Sequence, residues 1–568
     1  MKLNYNIHNT FRPTILTSLK GYNREKFISD LMSGLIIGIV ALPLSIAFAI
    51  ASGVGPEKGI YASIIGGFII SLLGGSKYQI GGPTGAFIIL SYNIVQQYGF
   101  EGLVITSVMA GIMLAVMGAL KLGIVIKYIP YPIVVGYMSG MAVIIFSTQM
   151  KDFFGLQIEN VPSDFIGKWS LYIQNLNTAD LYTMAIGIIS VFIIILMPKI
   201  SKKIPGALIA VITMTIGVYL LKEHCGITSI QTIGDRFSFN GGLPSFQTVP
   251  FNTELISALF PSAFTLAILG SIESLLSLTV VDGATGEKSH MNTELIAEGT
   301  ANIVAPFFGA TPLSGAMART MTNVNNGAKT PISGMIHSVF LLLVMLFFGD
   351  LAGLIPMSCL AAVLFVVSYN LSEWRSFVSL LKNSKADVVV LLTTFLLTII
   401  FDITMAIEIG ILLSIFLFMK RITESTQVNV SKNELDLTPD SAIPGQEDIV
   451  TLPKGVEVYE IDGPFFFGIA NKFEESMRVV ADKPLIRIIR MRKVPFMDST
   501  GLHNLESLCS RAKKEGIAII LSGVRPSVKE SLEKAKFTSL VDDENICPDI
   551  NVALKRAGEL IKERKTKI

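Results

Sequence analysis

The sequence predicts a multi-spanning α-helical membrane protein, about fourteen transmembrane segments in a 7+7 inverted repeat with two broken half-helices, followed by a C-terminal α/β domain. Three observations predict it. Hydrophobic residues make up 51% of 568 and charged residues 16%, with a mean hydropathy of +0.58, a balance that excludes an ordinary soluble domain. Residues 31–421 break at Gly, Pro and charge clusters into short apolar stretches. Beyond about residue 421 the composition turns charged and mixed through Ile568, enough chain for one α/β domain.

Residues 1–30 are polar and read as a cytoplasmic N-terminal segment, and the apolar run from Leu31 is long enough to remain as a span rather than a cleaved signal. The segments fall near 31–51, 59–73, 83–97, 102–120, 129–149, 181–197, 204–221, 256–281, 294–308, 314–325, 331–349, 354–369, 386–401 and 404–420. With the N-terminus inside, eighteen Lys and Arg fall on inner segments, among them Lys20, Arg24, Lys127, Lys202, Lys203 and Lys385; the outer loops hold five, Lys58, Lys151, Lys168, Lys222 and Arg236. That asymmetry and an even span count put both termini in the cytoplasm. The expected division is a transporter domain at 31–421, with repeats at about 31–222 and 256–420, a linker at 422–450, and a C-terminal domain at 451–568.

Two segments interrupt the pattern in matched places. Gly81-Gly82-Pro83-Thr84-Gly85-Ala86-Phe87 and Thr311-Pro312-Leu313-Ser314-Gly315-Ala316-Met317-Ala318-Arg319 each set Pro and small residues before an apolar stretch too short to span. Leu31 to Thr84 is 53 residues and Ile256 to Ser314 is 58. Seven spans per half is odd, so the second half enters from the opposite side and its broken helix points back at the first near the midplane. A helix N-terminus carries about half a positive charge and unpartnered N–H groups, so two facing one cavity hold an anion. The plain alternative is a pair of kinks in ordinary spans.

Charges within spans are costly, roughly 2.5–3.5 kcal/mol on insertion scales, so each needs a cavity, a partner or a proton. Glu273 lies well inside Leu266–Ser277, with Ser277 one turn on. Arg319 follows the second break and is placed to neutralise a bound anion or Glu273; a structural Glu–Arg pair is the rival role. Glu294, Glu298, Asp387, Asp402 and Glu408 are expected at span ends or interfacial loops, with His337 near the start of a span, all structural. Phe48 follows Pro43, which is expected to bend the first span; packing is its default role.

Gly283-Ala284-Thr285-Gly286-Glu287-Lys288-Ser289 lacks the spacing and preceding strand of a phosphate loop, so no nucleotide hydrolysis follows and no cofactor or metal is expected. The cysteines, Cys225, Cys359, Cys509 and Cys547, have no disulfide or metal spacing. A net charge of +2 without a basic aromatic stripe gives no reason to expect nucleic acid. In the C-terminal region, strands are expected within 456–468, at 485–491 and at 518–522, with helices at 472–480, from Asp498 to about 516, and at 527–535. Ser499 or Thr500 reads as a helix cap; phosphorylation at Ser499 is the regulatory alternative.

Ile80–Phe87, Leu269–Leu276 and Asn292–Arg319 continuing to Ala328 resemble the SulP/SLC26 anion transporters, and Asp498-Ser499-Thr500-Gly501-Leu502 resembles the STAS domain that closes such chains. The resemblance covers nearly the whole chain. It implies core and gate domains, an elevator-like motion, a cytosolic STAS domain with a possible cytosolic partner, and a homodimer in a bacterial-type inner membrane. It places the substrate on Phe48, Thr84, Gly85, Ala318 and Arg319, and the coupling ion on Glu273 with Ser277. Glu at that position looks like the proton-coupled members; sodium-coupled bicarbonate carriers tend to have Asp. Leu44 departs from members with a polar Gln there. Tyr128–Gln149 and Lys151–Gln157 look most like the branch that takes up C4-dicarboxylates.

The expected function is therefore proton-coupled uptake of sulfate or a C4-dicarboxylate. Rivals are a sodium-coupled bicarbonate transporter or anion exchanger, a nucleobase carrier of the same architecture, and a membrane sensor acting through its STAS domain without transport.

Overall fold

The computed structural model describes residues 11–124, 129–158, 161–162, 164–200, 205–237, 242–248, 253–401, 403–436, 449–468 and 484–566. The chain divides into two units, Met1–Ser414 and Ile415–Ile568.

Among the described residues, the regular structure of the first unit is helical apart from two two-residue strands. Its spans are α1 (Arg24–Ala51), α2 (Pro56–Leu73), α3 (Ile88–Ala119), α4 (Tyr131–Thr148), α5 (Leu181–Ile200), α6 (Gly206–Cys225), α7 (Thr253–Thr285), α8 (Met291–Val304), α9 (Met317–Asn325), α10 (Ile332–Ala352), α11 (Met357–Leu371), α12 (Lys385–Ile400) and α13 (Ile403–Ser425). Gly99, at φ 68° and ψ −173°, splits α3 into two crossings, so the described residues hold fourteen segments. Among the described residues, ten helices are individually long and apolar enough to cross a bilayer. At 1.5 Å per residue, the nine-residue α9 reaches roughly 14 Å, about half of a hydrocarbon core.

Local sequence explains the boundaries. Asn23 caps α1 by accepting from Lys26 N at 2.9 Å, and Ser384 caps α12 by accepting from Asp387 N. α1 runs on through Pro43, and α2 carries a π-helical stretch at Ala62–Gly66.

The helices pack in two groups. One joins α1, α2, α3, α7, α8, α9 and α10; the other joins α4, α5, α6, α11 and α12. Small residues set the closest approaches, as expected where lipid removes the hydrophobic gain from helix association. At the α3–α8 crossing, a Cβ on Gly111 would lie 2.6 Å from the Gly299 carbonyl oxygen, and one on Gly299 would lie 2.5 Å from that of Gly111. Gly136 and Gly140 of α4 likewise admit Thr394 and Thr398 of α12.

The second unit is α/β. Its five-stranded sheet has the order β3 (Gln427–Ser431), β6 (Val456–Asp462), β7 (Ile486–Lys493), β8 (Ala518–Ser522), β9 (Ile546–Cys547), parallel except for edge strand β3; β4 (Glu434–Asp436) and β5 (Ile449–Thr451) pair separately. Both faces are covered, hence the unbroken apolar run Ala518–Leu521 in β8, while Arg487 and Arg490 interrupt the apolar residues of β7. α14 (Ser499–Lys514) and α15 (Pro526–Lys534) pack over Tyr459, Ile489 and Leu521, and α16 (Ile550–Thr566) packs over Val458, Ile488 and Ile520. Strands β3 and β4 occupy part of the stretch expected as a linker, and α16 was not expected. The helix expected at 472–480 lies outside the described residues, as do Lys127, Lys202, Lys203 and Asp402.

Asp498, not Ser499 or Thr500, caps α14: its carboxylate accepts from Gly501 N at 2.7 Å, while Ser499 is exposed in the first turn.

Candidate functional site

The two broken segments meet as strands. β1 (Gly81–Gly82) pairs antiparallel with β2 (Ser314–Gly315), Gly81 opposite Gly315 and Gly82 opposite Ser314. Pro83 and an extended Thr84 follow β1, then a 3-10 turn at Gly85–Phe87 opens into α3; Ala316 follows β2 and opens directly into α9. The sequence dictates this interruption. Gly-Gly-Pro and Pro-Leu-Ser-Gly disfavour a continuing helix, while the apolar runs behind them favour one.

Backbone away from helix geometry must be satisfied inside a membrane, and here it is. Asn302 of α8 donates to the Leu313 carbonyl at 2.7 Å and accepts from Leu313 N at 3.1 Å. Gly315 N donates to Ser274 Oγ at 2.8 Å, and Ala316 N to the Ile80 carbonyl at 2.9 Å. By contrast, no side chain caps the start of either following helix. Their first N–H groups and aligned peptide dipoles therefore remain available to a negative charge.

Two ionisable side chains enter the same place. Glu273 of α7 accepts from Ser314 Oγ at 2.8 Å, and that hydroxyl stands 3.4 Å from Thr84 Oγ1. Arg319, 2% exposed, donates to the Pro83 carbonyl and, at 3.3 Å, to Ser63 Oγ in the π-helical stretch of α2. The expected alternative of a head-on Glu–Arg pair does not describe this arrangement: among the described residues Arg319 holds the first broken segment, and Glu273 holds the second. Gly82 makes room for this, because a Cβ there would run into Arg319 Nη1 and sit 2.8 Å from Ser63 Oγ.

The other expected residues are spread around this crossing. Thr84 is 4% exposed and Gly85 is buried, with Leu371 of α11 lying where a Gly85 Cβ would point. Ala318 is exposed on the first turn of α9. Phe48 lies in an apolar cluster with Ile145, Phe153 and Leu360. Ser277 donates to Gln79 Oε1 at 2.9 Å rather than reaching Glu273.

Sequence reasoning missed several participants. Gln79 precedes the first break and also receives Thr320 Oγ1 at 3.4 Å; a Cβ on Gly315 would collide with its amide. Ser63 carries no pattern, although its Ser45 partner at 2.8 Å lies beside Pro43 in α1. Glu294 and Glu298, expected at a span end or loop, are fully buried within α8, because the small residues of that helix bring it deep into the first helix group. Glu294 accepts from Gly75 N at 2.8 Å. His337 is likewise fully buried.

Comparison with known proteins agrees with this architecture. The sulfate permease family matches residues 27–394 and the STAS domain matches residues 449–553. YvdB of Bacillus subtilis, provisionally named a sulfate transporter, is 39% identical over 516 residues, 91% of this chain and 95% of its own length. The bicarbonate transporter BicA of Picosynechococcus is 26% identical over 558 residues, covering 93% of this chain and 94% of its own. The murine Slc26a9 anion transporter, solved in an inward-facing state, superposes with a TM-score of 0.86 at 19% identity, over 98% of this chain and 95% of its own, a likeness of fold. The chain belongs to the sulfate permease (SulP/SLC26) family of anion transporters and carries that family's C-terminal STAS domain.

Proposed function

We propose that this protein is a secondary active transporter that takes up sulfate or a C4-dicarboxylate together with a proton, by an elevator-like displacement of one helix group against the other. The observation that carries the reading is the convergence of two helix starts without side-chain caps, Arg319 and Glu273 on one strand crossing. When Glu273 is charged, it offsets Arg319 and the two helix ends. A proton on Glu273 removes that offset and leaves a positive site, so anion and proton favour each other's binding. Thr84, Gly85, Ala318 and Arg319 would hold the anion against Phe48. Ser277 would support the crossing through Gln79, behind the proton site. No nucleotide is needed: one charge moved through 100 mV supplies about 2.3 kcal/mol.

The Lys and Arg distribution supports cytoplasmic termini in a bacterial-type inner membrane. A homodimer is part of the reading, and an exposed Ser499 is the point at which phosphorylation would adjust a cytosolic partner of the STAS domain. A second reading, sodium-driven bicarbonate uptake, is favoured by the likeness to BicA.

Purified protein in liposomes, supplied with labelled sulfate or succinate and an inward proton gradient, separates the two. The expected result is gradient-stimulated uptake of one of them, reduced by excess of its competitor among sulfate, succinate, fumarate and bicarbonate. Bicarbonate uptake driven by sodium and indifferent to pH would overturn the first reading in favour of the second.

A further inference from the structure

Glu298 is the buried acid for which the site described above has no use. It lies on α8 at zero exposure, and neither carboxyl oxygen receives a hydrogen bond of ordinary geometry among the described residues. Its position is fixed by packing. A Cβ on Gly270 of α7 would lie 2.6 Å from Glu298 Oε1 and 3.2 Å from Phe87 Cζ, so the carboxyl is pressed against α7 one turn before Glu273, under the turn that opens the first half-helix. The Ser274 hydroxyl, next to Glu273 in the chain, stands beside it.

Burying an ionised carboxylate beside a hydroxyl but without a counter-charge costs several kcal/mol, whereas the neutral acid costs far less. Among the described residues no opposite charge compensates it. α3 presents Ser107, Gly111 and Ala115 to α8, and α2 presents Ile70 and Gly74, none of them charged. The charged groups whose fields reach Glu298 are Glu273 of α7 and Glu294 on its own helix, both of the same sign. Glu273 and Ser274 also make two neighbouring rungs to β2, through Ser314 Oγ and Gly315 N. The acid at Glu298 therefore adjoins the contacts that hold the second half-helix in place.

We infer that Glu298 is a second proton site, whose proton crosses with the anion alongside the one on Glu273. This rests on the proton-coupled reading above and extends it. Both carboxyls belong to one helix group, so a displacement of that group carries both. A bound anion favours a proton on each, and its departure favours their loss. A dianion accompanied by two protons crosses without net charge, which removes the opposition of an inside-negative membrane.

The test is the accumulation ratio of labelled anion in proteoliposomes with the membrane potential clamped at zero and one pH unit of gradient. Each coupled proton multiplies that ratio by about ten. The wild type is expected to accumulate about tenfold more than Glu298→Gln, and Glu298→Asp to recover the wild-type ratio. An equal ratio in wild type and Glu298→Gln overturns the inference and leaves the coupling at Glu273 standing; a wild type indifferent to the gradient overturns the coupling itself. Should Glu298→Gln fail to transport, proton uptake on anion binding to the purified variant in weak buffer decides: one proton fewer per anion than wild type supports the second site, and the same number overturns it.

Discussion

At the scale of single residues, the charges at the crossing are separated by design of the backbone rather than paired. Arg319 reaches the first broken segment only because Gly82 leaves its space open. Gly82→Ala is therefore expected to displace the guanidinium and weaken anion binding roughly tenfold, the scale of one hydrogen bond to a charged group. Equilibrium binding of labelled anion to the purified protein measures this; unchanged affinity would mean that Arg319 does not serve the anion. Thr84, Arg319 and Glu273 were legible in the sequence because a Pro-and-small run or a mid-span charge is anomalous in an apolar stretch. Gln79, Ser63 and Glu298 were not. A Ser in a span is ordinary, and a Glu four residues inside a span's drawn edge gives no sign of depth until helix packing fixes it.

Elements follow the apolar pattern closely, because a bilayer allows few alternatives to helix. Gly99 ended one crossing and began the next as the sequence predicts, and Pro with small residues opened both half-helices. The strand pairing of the two breaks was not legible, since two residues per strand carry no periodicity and the partners are more than two hundred positions apart. Strand β3 was hidden for a similar reason: an edge strand facing outward has a polar sequence that reads as linker. Where α3 and α8 cross, the approach is too close for any side chain. Gly111→Ala is expected to lower stability by about 1–3 kcal/mol through overpacking, while Gly217→Ala on α6, with open space around it, serves as the control. Thermal unfolding of the detergent-solubilised variants compares them, and an equal midpoint for both would mean that the Gly–Gly contact is not a constraint.

For the whole molecule, composition alone separated a membrane unit from an α/β unit, and the two family matches fall on those two regions. The inverted repeat has a mechanical consequence. Odd repeats of seven spans bring two helix starts to one crossing, and both starts belong to the helix group that also carries Glu273. The proposed anion and proton sites therefore move together if that group moves. The most direct measurement is uptake of labelled anion into proteoliposomes, with and without an inward proton gradient, for wild type and Glu273→Gln. A gradient that accelerates the wild type several-fold and Glu273→Gln clearly less is the predicted result; equal acceleration of both would contradict the account.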